Sequence, residues 1–141
     1  KTTMADLNGT WKLDRNENFD EFLKEMGVGM VKRMFAVRLS SVMDIKQDGN
    51  HFHIKTNNPF VSDEIEFEAG SSYQSDIPGI SSCKWECKTS FENGRLIVEA
   101  TPGPADKGKK SMTVIRERVG DEVIQSFICG NVTAKRYYKK V

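Results

Sequence analysis

Short runs of alternating apolar and polar residues, separated by tight-turn sequences, fill the chain from Ser41 to its end. Such alternation is typical of β-strands that have one face in a core and the other in water. The turn sequences contain Asp-Gly, Asn-Gly, Gly-Asp or Gly-Asn pairs, which favour hairpins. They stand at residues 48–50, 93–94, 120–121 and 130–131. Strands joined in this way predict an antiparallel barrel or sandwich.

The first part of the chain follows a different pattern. The segment Gly9–Arg15, "GTWKLDR", has the alternation of a strand. A helix is predicted directly after it, with Asn18 as the N-cap and Glu21 in the capping-box position. Gly27 ends this helix. Its apolar stripe consists of Phe19, Phe22, Leu23 and Met26.

A second short helix is predicted over Gly29–Arg38. Helices of this length are marginal in isolation, so both are expected to dock on the strands. Packing between helix and barrel is the role that we expect for Val31. The apolar side of the second helix carries Met30, Val31, Met34 and Phe35.

Three strands place a polar side chain in line with apolar neighbours. Removing a guanidinium from water without a partner costs several kcal/mol, so a packed core is a poor place for two of them. A barrel with an internal cavity for water and a ligand accepts them. Two other interpretations stay open: a register shift of one residue that turns the arginines outward, or an internal carboxylate that pairs with them. The polar residues are Arg116, Gln125 and Arg136.

Length and charge restrict the class of protein. The 141 residues match one domain, and we predict a single domain over residues 1–141 that is a monomer. With 21 basic and 20 acidic residues, nucleic acid is not expected as a partner. No apolar run approaches the ~20 residues of a membrane span, and no secretion signal is recognisable, so a cytoplasmic location is expected. The "KTT" before Met4 is expected to be a non-native remnant.

Candidate catalytic and metal-binding residues are scattered. His51 and His53 share the outer side of a strand but lack a third metal ligand. Glutamates at positions 64, 66 and 68 alternate with apolar residues, which indicates a solvated face. Cys83 and Cys87, read as members of one strand, would lie about 13 Å apart, so free thiols are expected. We predict no enzyme activity, no metal site and no cofactor.

Several segments together resemble the intracellular lipid-binding proteins, the family of fatty-acid-binding and cellular retinoid-binding proteins. They are "GTWKLDRNENFDEF", "GVGMVKR", "IKQDGNHFHIKT", "DEIEFEAG", "VIRERVGDEV" and "AKRYY", and they span the whole chain. The resemblance implies an all-β fold, a ten-stranded antiparallel up-and-down β-barrel with a two-helix lid between the first two strands. It also implies an internal cavity for a long hydrophobic molecule.

The resemblance implies a ligand site as well. Family members that bind fatty acids or retinoic acid hold the ligand carboxylate with two arginines and a tyrosine, which Arg116, Arg136 and Tyr138 match here. We expect Gln125 to support this site. Retinol carriers have glutamines at the two arginine positions, so retinol is the less favoured ligand. The expected cavity residues are Trp11, Phe19, Met30, Phe60, Met112, Val114 and Phe127.

The lid follows the family more loosely. The expected portal and lid residues are Met30, Val31, Met34 and Phe60, with transient contact between the helices and a membrane surface. Nuclear import of retinoic-acid carriers requires a basic residue where this chain has Met34, so nuclear entry is not supported. Departures from the family pattern are the extended segments around residues 71–88 and 101–111.

These features together predict a carrier for a long-chain fatty acid. The alternative within the family is a retinoic-acid or other retinoid carrier, and bile acids would need a wider cavity. From another class, a secreted lipocalin also begins with G-x-W, but it would normally bring a signal peptide and a disulfide. An enzyme acting on a bound lipid has no candidate acid and base pair here.

Overall fold

A computed structural model describes residues 6–59 and 62–141 of the chain. Phe60, expected at the portal, lies outside these residues. Two helices, α1 (Phe19–Glu25) and α2 (Met30–Ala36), lie between the first two strands. A 3-10 turn spans Pro104–Asp106. The strands are β1 (Gly9–Glu17), β2 (Val42–Asp48), β3 (His51–Asn57), β4 (Ser62–Glu68), β5 (Ser72–Ser75), β6 (Trp85–Glu92), β7 (Arg95–Thr101), β8 (Met112–Val119), β9 (Glu122–Cys129) and β10 (Val132–Lys140).

The strands form one ten-stranded sheet in the order β4-β3-β2-β1-β10-β9-β8-β7-β6-β5. Every neighbouring pair is antiparallel, and β1 pairs with β10, so the two ends of the chain meet in the wall. β4 and β5 are the two edges of the sheet and do not pair with each other. The predicted all-β barrel with a helix pair after its first strand is therefore confirmed, and its wall is open between β4 and β5.

The hairpin predictions are confirmed at all four turns. Each predicted turn lies between two paired strands: β2 and β3, β6 and β7, β8 and β9, and β9 and β10. At the Asn93-Gly94 turn both residues have positive φ, 54° and 76°. This combination is the one that matches the twist of a two-residue hairpin.

Two apolar clusters occupy opposite ends of the barrel. The first joins the buried face of α1 to β6, β7, β8 and β9. The second contains Leu7, Trp11 and Tyr138 and lies at the end where β1 begins. Trp11 was expected in the cavity, but it is fully buried in the second cluster, where its indole Nε1 donates to Leu7 O at 3.0 Å.

Helix α1 docks on the barrel through the predicted stripe. Phe19 and Phe22 are buried and lie 5.5 and 5.1 Å from the Phe127 ring of β9, measured between centroids. Asn18 occupies the N-cap position, but its side chain makes no capping hydrogen bond. It has left-handed backbone geometry, φ 61°, and its amide donates to Thr133 O at 3.1 Å on β10. The predicted capping box is therefore wrong, because the amide secures the helix to the barrel instead.

Helix α2 packs differently from the sequence-based expectation. None of its residues is buried. Val31, expected between helix and barrel, is 64% exposed, and Phe35 is 62% exposed. Met30 and Met34 are exposed as well. Met30, Val31 and Met34 thus face outward, whereas Phe35 is exposed but lines the mouth of the internal cavity.

The two extended segments pack against each other. Asp106 is buried, and its Oδ2 accepts hydrogen bonds from Trp85 Nε1 and Ser82 N, both at 2.8 Å. Gly103 lies so close to the neighbouring loop that a Cβ there would be 2.1 Å from Lys84 O. Cys83 lies in this loop rather than in a strand as predicted, and all three cysteines are free.

Candidate functional site

Three polar side chains form a row across neighbouring strands. Arg116 of β8 is paired in register with Gln125 of β9, and Gln125 is paired with Arg136 of β10. All three residues line the internal cavity. The register therefore brings together the three polar residues that the sequence places among apolar ones, and it excludes the one-residue shift that would have turned them outward.

Arg116 is the most enclosed of the three. Its side chain is 9% exposed, and its Nε is buried with no hydrogen-bond partner among the described residues. No ion pair in residues 6–59 and 62–141 includes it. Burial lowers the pKa of Arg116, and the nearby Tyr73, Tyr138 and Asp63 oppose that shift. Arg116 thus presents a buried, charged hydrogen-bond donor to the cavity.

Arg136 is held by neutral groups. Its Nε donates to Asn16 Oδ1 at 3.1 Å, and its guanidinium lies 4.4 Å from the centre of the Phe19 ring. This position over an aromatic face is a cation–π contact. Burial lowers the pKa of Arg136. Arg136 therefore contacts the first residue of helix α1 and also lines the cavity.

Tyr138 is next to the row but does not line the cavity. Its side chain is 1% exposed, and its hydroxyl donates to Ser41 Oγ at 3.1 Å. Ser41 itself lines the cavity. The ring of Tyr138 lies 6.0 Å from the Arg136 guanidinium. Ser41 thus links the Tyr138 hydroxyl to the cavity. The sequence pattern alone did not identify Ser41 as a cavity residue.

The cavity has a volume of about 640 Å³, within the usual range for small-molecule sites. Trp11 and Met30, which were expected in the cavity, do not line it, and neither do the expected lid residues Val31 and Met34. Trp11 lies in the cluster at the far end, and the other three lie on the outward side of α2. The expected residues that do line it are Phe19, Met112, Val114, Gln125 and Phe127.

A second polar strip lines the same cavity at the opening between β4 and β5, and it was missed from the sequence. Asp63 lies on β4 in phase with Ile65 and Phe67, which face inward. That shared parity is the signal that reveals Asp63. The loop after β5 has no periodicity, so its cavity residues could not be predicted. The polar strip consists of Thr56, Asp63, Ser75 and Asp76.

The outer face of the β3–β4 hairpin carries the histidines and glutamates that were predicted to point toward solvent. His51 Nε2 lies 2.7 Å from Glu66 Oε2, and His53 Nε2 lies 2.5 Å from Glu64 Oε2. The hydrogen bond with Glu66 is the main cause that raises the pKa of His51. In the described part of the chain, no group of three or more His, Cys, Asp or Glu residues is arranged to hold a metal ion. The described helices are all too short or too polar to cross a membrane.

Known proteins resemble this chain along nearly its whole length. Intestinal fatty acid-binding protein of Sus scrofa is 35% identical over 134 residues, which are 95% of this chain and 98% of that protein. Cellular retinoic acid-binding protein 1 of Pelodiscus sinensis is 33% identical over 141 residues, covering 96% and 98%. The structure of apo lipid binding protein 8 of Caenorhabditis elegans matches with a TM-score of 0.87 and 26% identity, covering 99% of both chains.

The family model named lipocalin / cytosolic fatty-acid binding protein family matches residues 8–140. This match covers β1 to β10, including both helices and the row of polar side chains in the cavity. The chain therefore belongs to the lipocalin / cytosolic fatty-acid binding protein family.

Proposed function

We propose that this protein is a non-enzymatic carrier that binds a long-chain fatty acid inside its barrel. The carboxylate binds between Arg116 and Arg136, Gln125 supports it, and Tyr138 contributes either through its own hydroxyl or through that of Ser41. The hydrocarbon tail lies along the apolar wall under α1. The protein solubilises the fatty acid and releases it to a membrane or an acceptor.

The observation that carries this proposal is the buried, unpaired donor of Arg116 in a row with Arg136. Two guanidinium groups at one level of a cavity can give bidentate, charge-assisted hydrogen bonds to a carboxylate. Neither arginine belongs to an ion pair among the described residues. A ligand anion would offset the cost of their burial.

Tyr138 contributes in one of two ways. Its hydroxyl can turn from Ser41 toward the carboxylate, or it can keep its hydrogen bond and orient the Ser41 hydroxyl, which lines the cavity. We favour the second way, because Tyr138 itself does not line the cavity.

Retinoic acid is the second candidate ligand. It carries the same carboxylate, and one of the relatives is named as a cellular retinoic acid-binding protein. Fatty acid is preferred here because the relative named for fatty acids has 35% identity with this chain and the relative named for retinoic acid has 33%. Competition between oleate and retinoic acid separates the two.

The exposed side of α2 supports transfer by contact with a membrane. Met30, Val31, Met34 and Phe35 are exposed apolar side chains on one short helix. Lys32 lies between them, and a basic residue beside an apolar face favours anionic lipid surfaces. We propose that a monomer makes this contact from the cytoplasm, in keeping with the family description.

The first test is to extract the purified protein with organic solvent and identify the released molecules by mass spectrometry. The delipidated protein is then titrated with oleate, retinoic acid and retinol. A one-to-one complex with preference for oleate is expected. Preference for retinoic acid would retain the arginine site but change the ligand, and binding of none of the three would refute the carrier function.

A further inference from the structure

Asp63 introduces a carboxylate into the same cavity as Arg116. It lies on the inward face of β4, is half-buried, and borders the opening between β4 and β5. Thr56 on β3 and Ser75 on β5 lie on the cavity wall as well, so the opening has a polar rim. The cavity therefore has two polar regions, a cationic row on β8 to β10 and this rim.

The carboxylate of Asp63 has no cationic partner close by. Among the described residues, none of the ion pairs within 4.0 Å includes Asp63. Burial raises the pKa of Asp63, while the more distant charge of Arg116 and a hydrogen bond from the Glu64 backbone N–H act in the opposite direction. Asp63 and Arg116 therefore interact electrostatically without forming an ion pair, and both side chains can still bind a ligand.

An unsubstituted hydrocarbon chain is a poor neighbour for this group. A carboxylate has two accepting oxygens and donates no hydrogen bond while ionised, so the hydrogen bond from the Glu64 backbone N–H leaves acceptor positions that need further donors. A plain acyl chain that displaces water from Asp63 supplies no donor, which is unfavourable. A hydroxyl group on the ligand supplies one, and a site built to bind a hydroxyl discriminates against analogues that lack it.

We propose that the protein selects a long-chain acid that carries a hydroxyl group, with the hydroxyl donating to Asp63 and the carboxylate bound by Arg116 and Arg136. This inference rests on the proposed carrier function and specifies its ligand class. Asp63 is then a specificity-determining residue. The buried free Nε of Arg116, which lines the same cavity, is the independent sign that this cavity takes a polar ligand.

The test compares stearic acid with its 2-, 12- and 18-hydroxy derivatives by calorimetric titration of the delipidated protein. At least one hydroxy acid is expected to bind about tenfold more tightly than stearic acid. In Asp63→Leu this ratio should fall to about one. Glu64→Gln is the matched control, because Glu64 is the next residue on β4 and points outward, and it should retain the wild-type ratio.

A more conservative variant keeps the inference testable if Asp63→Leu fails to fold. Asp63→Asn has the same size and should lower the ratio by about threefold. Equal binding of stearic acid and every hydroxy acid by the wild-type protein would overturn the inference but leave the carrier function intact. So would a ratio that Asp63→Leu and Asp63→Asn leave unchanged. Failure of the wild-type protein to bind any of these acids would overturn both.

Discussion

Arg116 and Arg136 lie at the same level of the barrel, because each is paired in register with Gln125 on the strand between them. Strands are about 4.8 Å apart in a sheet, so the two strands that carry the arginines are about 10 Å apart. Long arginine side chains from these strands can converge on one carboxylate. The following predictions start from this arrangement.

Arg116→Gln should weaken oleate binding by about 10- to 100-fold and weaken oleyl alcohol by no more than about threefold. The reason is that the alcohol lacks the charge that Arg116 binds in the proposed complex. Titration of both ligands into the delipidated protein measures the two losses. Arg95→Gln, at an exposed position on β7, is the control. Equal losses for acid and alcohol would show that Arg116 serves the structure instead.

Arg116→Met should stabilise the ligand-free protein, raising its free energy of unfolding by about 1–2 kcal/mol. The substitution removes a buried charge whose Nε lacks a partner and puts an apolar chain in place of the methylene part of the arginine. Urea unfolding of delipidated samples measures the change. Arg95→Met should alter stability by less than about 0.5 kcal/mol. A loss of stability in Arg116→Met would mean that the guanidinium has a structural role.

Tyr138→Phe and Ser41→Ala should each weaken oleate binding by about threefold, and the double variant should be no weaker than either one. This follows if the phenol acts by orienting the Ser41 hydroxyl, to which it donates at 3.1 Å. Titration of all three variants gives the comparison. A silent Ser41→Ala combined with a damaging Tyr138→Phe would indicate that the phenol reaches the carboxylate directly.

Val31→Ser should slow transfer of a fluorescent fatty acid to anionic vesicles, while unfolding stability changes by less than about 0.5 kcal/mol. Val31 is 64% exposed, so its substitution removes apolar surface that faces solvent rather than the core. Stopped-flow transfer and urea unfolding measure the two effects. Unchanged transfer would remove α2 from the proposed membrane contact, and a loss of 2 kcal/mol or so would indicate buried packing.

The stability contributed by Asp106 should depend on pH in the acid range. Hydrogen bonds from Trp85 and Ser82 lower the pKa of Asp106 to about 2, whereas an aspartate in an unfolded chain has a pKa of about 3.9. The ionised group therefore stabilises the fold above about pH 4, and this contribution is lost as pH falls toward 2. Wild-type protein and Asp106→Asn should differ in urea midpoint at pH 6 and converge near pH 2. A constant difference would contradict the assignment.

The barrel was predictable because its turns and strand periods are local signals. The hairpins at residues 48–50 and 93–94 follow from their Asp-Gly and Asn-Gly pairs. The capping box at Asn18 failed because the same residue type also accepts left-handed geometry, and a contact 115 residues away with Thr133 determined its amide. Local sequence does not encode such a contact.

The cavity was predictable in part. Residues on strands, such as Phe127 and Arg116, were assigned by parity, whereas Trp11 has the correct parity but the wrong height along the barrel. Parity determines the face of a strand and not the distance from the barrel end. Ile77 and Ile80, which belong to the loop after β5, line the cavity without any period to reveal them.

The opening between β4 and β5 leaves two strand edges, and edges of a sheet invite pairing with another molecule. β5 has four residues, and β4 carries Glu64, Glu66 and Glu68 on its solvent side. A second copy that approached along β4 would bring the same glutamates against these, so like charges would oppose the association. The glutamates beside the opening thereby oppose edge-to-edge pairing of two molecules into one continuous sheet.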